Sequence, residues 1–272
     1  MADNERDYLL GTHDEEIARL GLQHRVWRPR VLDAWRRAGI TTGMTVADAG
    51  AGPGWATVDL AEIVGPTGRV HALERSQRFL HALTGTARAR SLSQIQAHAV
   101  DLAADALPVG GLDAVWVRWV LAFIGEPGAV VAKLAAALKP GGVMVVHEYL
   151  DYATWSMAPA NPEQAEFKDL VIRSWRESGG EPDVGRSLPT LMAASGLRIC
   201  ELRPIIDIIS PANYVWEWPM SFVHSYLDRL VDEGMVEAAW AERIRGGFAR
   251  AEADPATVMV TPLVLEVIAE KV

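Results

Sequence analysis

The chain has 272 residues, half of them hydrophobic, and carries a formal net charge of -9. An acidic balance with no Lys/Arg-rich run argues against nucleic-acid and anionic-membrane partners. The single cysteine, Cys200, closes no internal disulfide, and no Cys/His cluster suggests zinc. The polar, acidic start does not read as a secretory leader, and no apolar run approaches the roughly 18 residues of a membrane span, so a soluble cytoplasmic protein is expected.

Residues 1–11 read as an arm. Thr12 and Glu15 fit a capping box, T-x-x-E, that opens a helix with Ile17 and Leu20 on one face. A second helical pattern begins near Pro29, with Val31, Leu32 and Trp35 apolar and Gly39 as its C-cap. Thr45–Ala49 reads as a short buried strand. It runs into a glycine turn that carries Asp48, Gly50, Gly52 and Gly54, and an amphipathic pattern follows from Trp55 to Val64. Strand, glycine turn and helix in that order make a nucleotide-type site: glycine lets the backbone approach a ligand, and a helix start offers N–H groups. The dinucleotide fingerprint G-x-G-x-x-G/A fails at Trp55, where an indole would block close packing of helix on strand.

Arg69–Leu73 is the second predicted strand, with Glu74 at its end, about two dozen residues after Gly50. A carboxylate there suits a ribose diol, having two acceptor oxygens and no donor; the alternative is a solvated strand-end charge. Ser76 caps a predicted helix over Gln77–Ala89. Gln94–Val100 is a third strand, running into Asp101 and Leu102, with Asp105 a competitor in the same loop. Leu112–Val117 is a fourth, ending at Arg118, whose alternative role is an ion pair with Glu126 or Asp113. Gly128–Leu138 forms an amphipathic helix stopped by Lys139-Pro140-Gly141-Gly142, and Val143–Val146 is the fifth strand. From Asp151 to Gly180 the pattern gives way to aromatics, Pro and Asn. Helices are then expected over Leu188–Ser195, Ser221–Glu233 and Met235–Ala253, with strands over Leu197–Leu202 and Pro262–Glu270. Alternating strands and helices give a parallel sheet covered on both faces.

The turn at Asp48, Gly50, Gly52 and Gly54 resembles motif I of the class I S-adenosylmethionine methyltransferases, and Leu138-Lys-Pro-Gly-Gly142 resembles their motif III. Arg19–Pro29 and Ser178–Pro189 are similar to segments of a large bacterial group of small-molecule methyltransferases, broadly related to quinone-biosynthesis methyltransferases. The resemblance implies a doubly wound, Rossmann-like, seven-stranded, mostly parallel sheet whose last strand inserts antiparallel. It implies a helical extension over residues 1–40, a cofactor-binding core over 41–150, and, within 151–272, cap segments at 151–190 and 207–255 beside the last two strands. S-adenosylmethionine is the implied cofactor, and S-adenosylhomocysteine the product. In that resemblance Asp101 bonds the adenine amino group, the Leu102 N–H faces the ring, and Arg118 touches the cofactor's amino-acid end. Tyr8 and Gln23 reach the cofactor if the N-terminal arm closes as it does in that group. Arg118 stands where metal-dependent relatives would need a carboxylate, so no metal is expected.

The implied partner is a small-molecule acceptor; oligomeric state stays open, a homodimer among the alternatives. A general base serves a hydroxyl or carbon acid and is dispensable for a neutral amine. His147 and Glu148 are the candidates, and because adjacent strand residues face opposite ways one of the two is expected to face the pocket. Tyr149, Tyr152, Trp155, Trp216 and Trp218 either wall an acceptor pocket or fill the core of the cap. Two rival readings are a fold relative that uses the cofactor for a lyase or pericyclic step and a cofactor-sensing binding module.

Overall fold

A computed structural model of the chain describes residues 13–272, so Tyr8 and Thr12 lie outside the described residues. In place of two helices there is one, α1 (Asp14–Arg37), with Pro29 inside it. Its N-cap is His13, whose Nδ1 accepts from the Glu16 N–H at 3.2 Å, so the expected box at Thr12 does not open this helix. Acidic residues fill its first turn and Arg36 and Arg37 its last, matching the helix dipole at both ends. Pro29 removes one helical N–H. The helix runs across it because Trp27, Val31, Ala34 and Trp35 on either side bury almost completely. Gly39, at φ +77°, closes the end, and the Ile40 N–H bonds back to the Trp35 carbonyl at 2.9 Å.

Next come β1 (Thr45–Ala49), α2 (Trp55–Val64), β2 (Arg69–Glu74), α3 (Gln77–Ala89), β3 (Ile95–Ala99), β4 (Leu112–Arg118), α4 (Pro127–Ala137) and β5 (Leu138–Asp151). After them run β6 (Ser156–Ala158), α5 (Pro162–Glu177), α6 (Leu188–Ala194), β7 (Leu197–Ile205), β8 (Ile208–Ile209), α7 (Glu217–Asp232), α8 (Ala238–Ala253), β9 (Val258–Val260) and β10 (Leu263–Lys271). Seven strands form one sheet in the order β3-β2-β1-β4-β5-β10-β7. The first five pair in parallel, and β10 inserts antiparallel between β5 and β7. Side chains alternate across it. Val46, Ala114, Trp116 and Val145 face the α1–α2 layer, while Ala47, Val115, Val117 and Val146 face α4 and α6.

The segment after β5 holds more structure than its composition suggested. Asn161 caps the Gln164 N–H at 2.9 Å, and Pro162 occupies the first helical turn of α5. An Asn-Pro pair that reads as loop punctuation is here a helix start. Phe167, Val171 and Trp175 then recur at helical spacing and bury. With α7, α8 and a small sheet, β6-β9-β8, this helix roofs the carboxyl edge of the large sheet.

Glu148, on β5, governs the turn after β4. Its Oε1 accepts the N–H groups of Val120 and Leu121, both at 2.7 Å, and its Oε2 has no partner among the described residues. Burial raises its pKa to about 7, against those backbone bonds. Burial likewise raises Asp48 to about 6. Acids raised in the folded state bind protons there that the unfolded chain has already released. Their contribution is present at low pH and lost as pH rises toward the folded pKa, so stability falls between about pH 5 and 7. Glu148→Gln keeps an oxygen for both N–H groups and removes the titration. Its unfolding free energy, followed from pH 5 to 7.5, should lose a part of the wild-type decline on the order of 2–3 kcal/mol. A slope as steep as wild type would mean that Glu148 does not titrate from a buried, neutral state.

Candidate functional site

A cavity of about 300 Å³ lies at the carboxyl ends of β1, β2, β4 and β5. Its floor is the glycine turn. A Cβ on Gly50 would sit 2.3 Å from Val120 Cγ2, and one on Gly54 would sit 2.1 Å from Leu83 Cδ1, so side chains are excluded at both positions. Gly52 has open space beside its α-carbon, on the cavity wall. Glu74 braces this turn: its Oε2 accepts the Gly52 N–H and its Oε1 the Ser76 N–H, each at 2.8 Å. The solvated strand-end alternative therefore falls, since Glu74 is 8% exposed and burial raises its pKa against those two backbone bonds. Asp48 accepts from the Thr57 hydroxyl at 2.6 Å and from the Thr57 N–H, tying β1 to the first turn of α2.

Asp101 and Leu102 line the cavity. The Asp101 carboxylate accepts from the Ala103 N–H at 2.8 Å, and Asp105 stands behind it, accepting the Asp101 N–H at 2.9 Å. The competitor thus shapes the loop, and Asp101 is the one on the wall. Gln23 is also on the wall, its Oε1 held by Arg19 Nη1 at 3.1 Å, and Arg19 is in turn held by Glu16 through two short bonds. Trp55 does not wedge between helix and strand. Its indole turns out beneath α1, 2.9 Å from where a Gly21 Cβ would stand, and donates to the Ile17 carbonyl at 3.3 Å.

Arg118 closes the polar half. Its Nη2 lies 3.2 Å from His24 Nδ1, its Nη1 has no hydrogen-bond partner among the described residues, and its guanidinium sits over the Trp119 and Trp116 rings at 5.3 and 5.9 Å. Desolvation lowers its pKa to about 10, with Asp48 opposing. Neither ion-pair alternative for it forms, Asp113 being bonded to Lys139 and to the Thr45 N–H.

The other half is aromatic. Tyr149, Tyr152, Trp155 and Trp218 line it as the sequence suggested, joined by Trp119, Trp175 and Phe222. Trp119 stacks between Tyr149 at 5.5 Å and Trp218 at 5.6 Å, and its backbone is left-handed at φ +50°. Sequence reasoning missed Trp119 and Trp175, although Trp119 directly follows Arg118 at the strand end and that position was the available signal.

Besides Gly54, which packs against Leu83 beneath the turn, three expected site residues are not on the cavity wall. Trp216 buries in the core of the cap, its indole N–H donating to Glu252 at 3.1 Å. His147 is fully buried, 2.9 Å from Glu266 Oε2 and beneath Trp27 and Trp116. Glu148 points to the opposite face of β5 and holds the turn after β4. Both candidate bases lie one step below the sheet's carboxyl edge, where Trp116, Trp27 and the β4 turn cover them. Tyr149, one residue on, is the first of the strand to reach the cavity.

The donor set fits a nucleoside with an amino-acid tail. The wall offers carboxylates for hydroxyl and amino groups, a guanidinium whose Nη1 has no partner among the described residues, and open space over the Gly52 backbone. Residues 46–142 match the family described as "Methyltransferase domain". The demethylmenaquinone methyltransferase of Lactococcus lactis is 29% identical over 126 residues, covering 46% of this chain and 49% of that protein. The chain spans about half the length of the curated relatives it matches. Two solved structures share the fold. A putative sarcosine dimethylglycine methyltransferase from Galdieria sulphuraria aligns over 89% of this chain and 84% of that one, at TM-score 0.60 and 12% identity. The [4+2]-cyclase SpnF aligns over 89% and 80%, at TM-score 0.59 and 18% identity. Over the segment that builds the glycine turn, the Glu74 brace and the β4 edge, the chain is thus similar to methyltransferase domains.

Proposed function

We propose that the protein transfers a methyl group from S-adenosylmethionine to a small hydrophobic or aromatic acceptor, by in-line displacement and without a metal. The observation that carries this reading is a single cavity with carboxylates and Arg118 at one end and stacked aromatics at the other. Bound there, S-adenosylmethionine supplies a methyl group already activated on a sulfonium. Glu74 keeps acceptor capacity on both oxygens for the ribose hydroxyls, Asp101 meets the adenine amino group beside the Leu102 N–H, and Arg118 faces the cofactor carboxylate. Helix α1, through Gln23, acts as a lid, and segments 151–190 and 207–255 act as the cap.

The aromatic wall positions the acceptor and excludes water. Alignment of this kind supplies about 7–11 kcal/mol of a barrier. Burial raises the Tyr152 pKa well above the ordinary phenol value, so its hydroxyl stays neutral and orients rather than deprotonates. With His147 and Glu148 away from the cavity, positioning carries the reaction. A cyclase of the same fold motivates a second reading, a non-methylating step in the same chamber. Formation of S-adenosylhomocysteine with a labelled methyl group on an acceptor separates the two.

S-adenosylmethionine and S-adenosylhomocysteine should raise the melting temperature, while NAD and ATP should not. Stabilisation by NAD alone would overturn the assignment. With Arg118 at the β4 edge, turnover should survive EDTA; loss restored by Mg²⁺ would refute the metal-free route.

Glu74→Ala should weaken cofactor binding by roughly 1.5–3 kcal/mol, as for hydrogen bonds to a charged group. It should also lower the melting temperature, because the Gly52 and Ser76 N–H groups lose their acceptor. Calorimetric titration with wild-type affinity would remove Glu74 from the site.

A further inference from the structure

His24 joins three elements that the cofactor site depends on. It projects from α1, is 4% exposed, and lies between Arg118 at the end of β4 and Asp59 on α2. The geometry fixes its tautomer. A guanidinium has only donors, so Nδ1, at 3.2 Å from Arg118 Nη2, must be the acceptor. The proton then sits on Nε2 and is donated to Asp59 Oδ2 at 3.0 Å. Arg28 also donates to Asp59 Oδ2, at 2.7 Å, so the carboxylate is held from both sides. Two tryptophan faces restrict the guanidinium, and His24 sets its rotation in the remaining direction.

We infer that His24 is a positioning residue for the cofactor's amino-acid end: it orients Arg118 through Nδ1, is locked in one tautomer by Asp59, and thereby couples the α1 lid to the cofactor carboxylate. The inference rests on the proposed pairing of Arg118 with that carboxylate. Burial lowers the His24 pKa first and foremost, and the charges of Arg118 and Arg28 lower it further, against Asp59. The neutral ring that the geometry needs is therefore the form present at neutral pH. Protonation at Nδ1 would turn an acceptor into a donor facing Arg118 and release the guanidinium. The groups facing the ring are Arg118 from β4, Asp59 from α2 and Arg28 from its own helix, with Asp48 beyond Arg118.

Two ligands separate positioning from packing. S-adenosylhomocysteine carries the amino-acid carboxylate, and 5′-methylthioadenosine keeps the nucleoside without it. In calorimetric titrations at pH 8, His24→Leu should bind S-adenosylhomocysteine at least tenfold more weakly than wild type. It should bind 5′-methylthioadenosine within twofold. His24→Gln, whose amide oxygen can accept from Arg118, should recover most of the loss. Equal weakening of both ligands would mean a packing role, and wild-type affinity for both would leave His24 no role at all; either overturns the inference. If wild type binds neither ligand, the cofactor reading itself fails, a distinct outcome. Should His24→Leu not fold, nitrogen-15 spectra of the wild-type imidazoles decide: a neutral His24 protonated at Nε2 is expected, and a proton on Nδ1 overturns the inference.

Discussion

Arg118 brings a half-buried guanidinium to the cavity wall at the point where β4 leaves the sheet, and much of the surrounding chemistry answers that cost. Withdrawing a cation from water is expensive, and strong charge pairing or a shifted pKa is the usual response. Here the compensation is spread. Asp48 offsets the charge from β1, His24 accepts one N–H, and two indole faces cover the plane. Asp59 shows the same logic one step out. Burial would raise it, yet His24 and Arg28 together hold it below the usual carboxylate range. The network ties α1, α2 and β4 together, which explains how α1 stays in place over a helical proline. Compensation among the described residues stops short of completion, since Nη1 has no partner there, and an anionic ligand would complete it.

The aromatic half obeys a different constraint, that of shape. Holding a tryptophan in a left-handed conformation costs on the order of 1–3 kcal/mol. Trp119 persists there because stacking on Tyr149 and Trp218, at about 0.5–1.5 kcal/mol for each pair, offsets the strain. Glu148 fixes the next two N–H groups from beneath. The turn after β4 is thus clamped from both sides of the sheet. Val120, in that turn, is also the residue that a side chain at position 50 would strike. One short loop therefore sets both the glycine floor and the aromatic wall of the cavity.

The large sheet and the glycine turn at its carboxyl edge were legible in the sequence because their signals are local. Buried parallel strands read as continuous apolar runs, and Gly50, Glu74 and Asp101 stand at or just beyond strand ends. The cap was less legible. Asn161-Pro162 starts α5 within a stretch whose composition announced only aromatics, Pro and Asn, and strands as short as β6, β8 and β9 carry no periodicity. Pro29 was read as a helix start, and only tertiary burial of Trp27 and Trp35 shows the helix running through it. Trp216 and Trp218 look alike in the sequence, two residues apart. They part because Trp216 ends a short 3-10 turn and reaches Glu252, whereas Trp218 opens toward Trp119.

His147 and Glu148 show why residue type at a strand end is a poor guide to chemistry. The alternation of a strand sends the two to opposite faces, and the expectation was that one would meet the acceptor. Depth decides otherwise. His147 pairs with Arg118 in register across β4 and β5, so it lies level with the last residue of β4 and beneath whatever that residue covers. Its partner Glu266, also bonded to Arg37, anchors β10 and α1 to the same point. Burial drives the His147 pKa down despite Glu266, leaving a neutral ring wedged under Trp116. Glu148 is pushed the other way, toward a neutral acid. Two groups with the pKa shifts often sought in a catalytic pair instead hold the β4 edge from below, and the cavity above begins one residue on, at Tyr149.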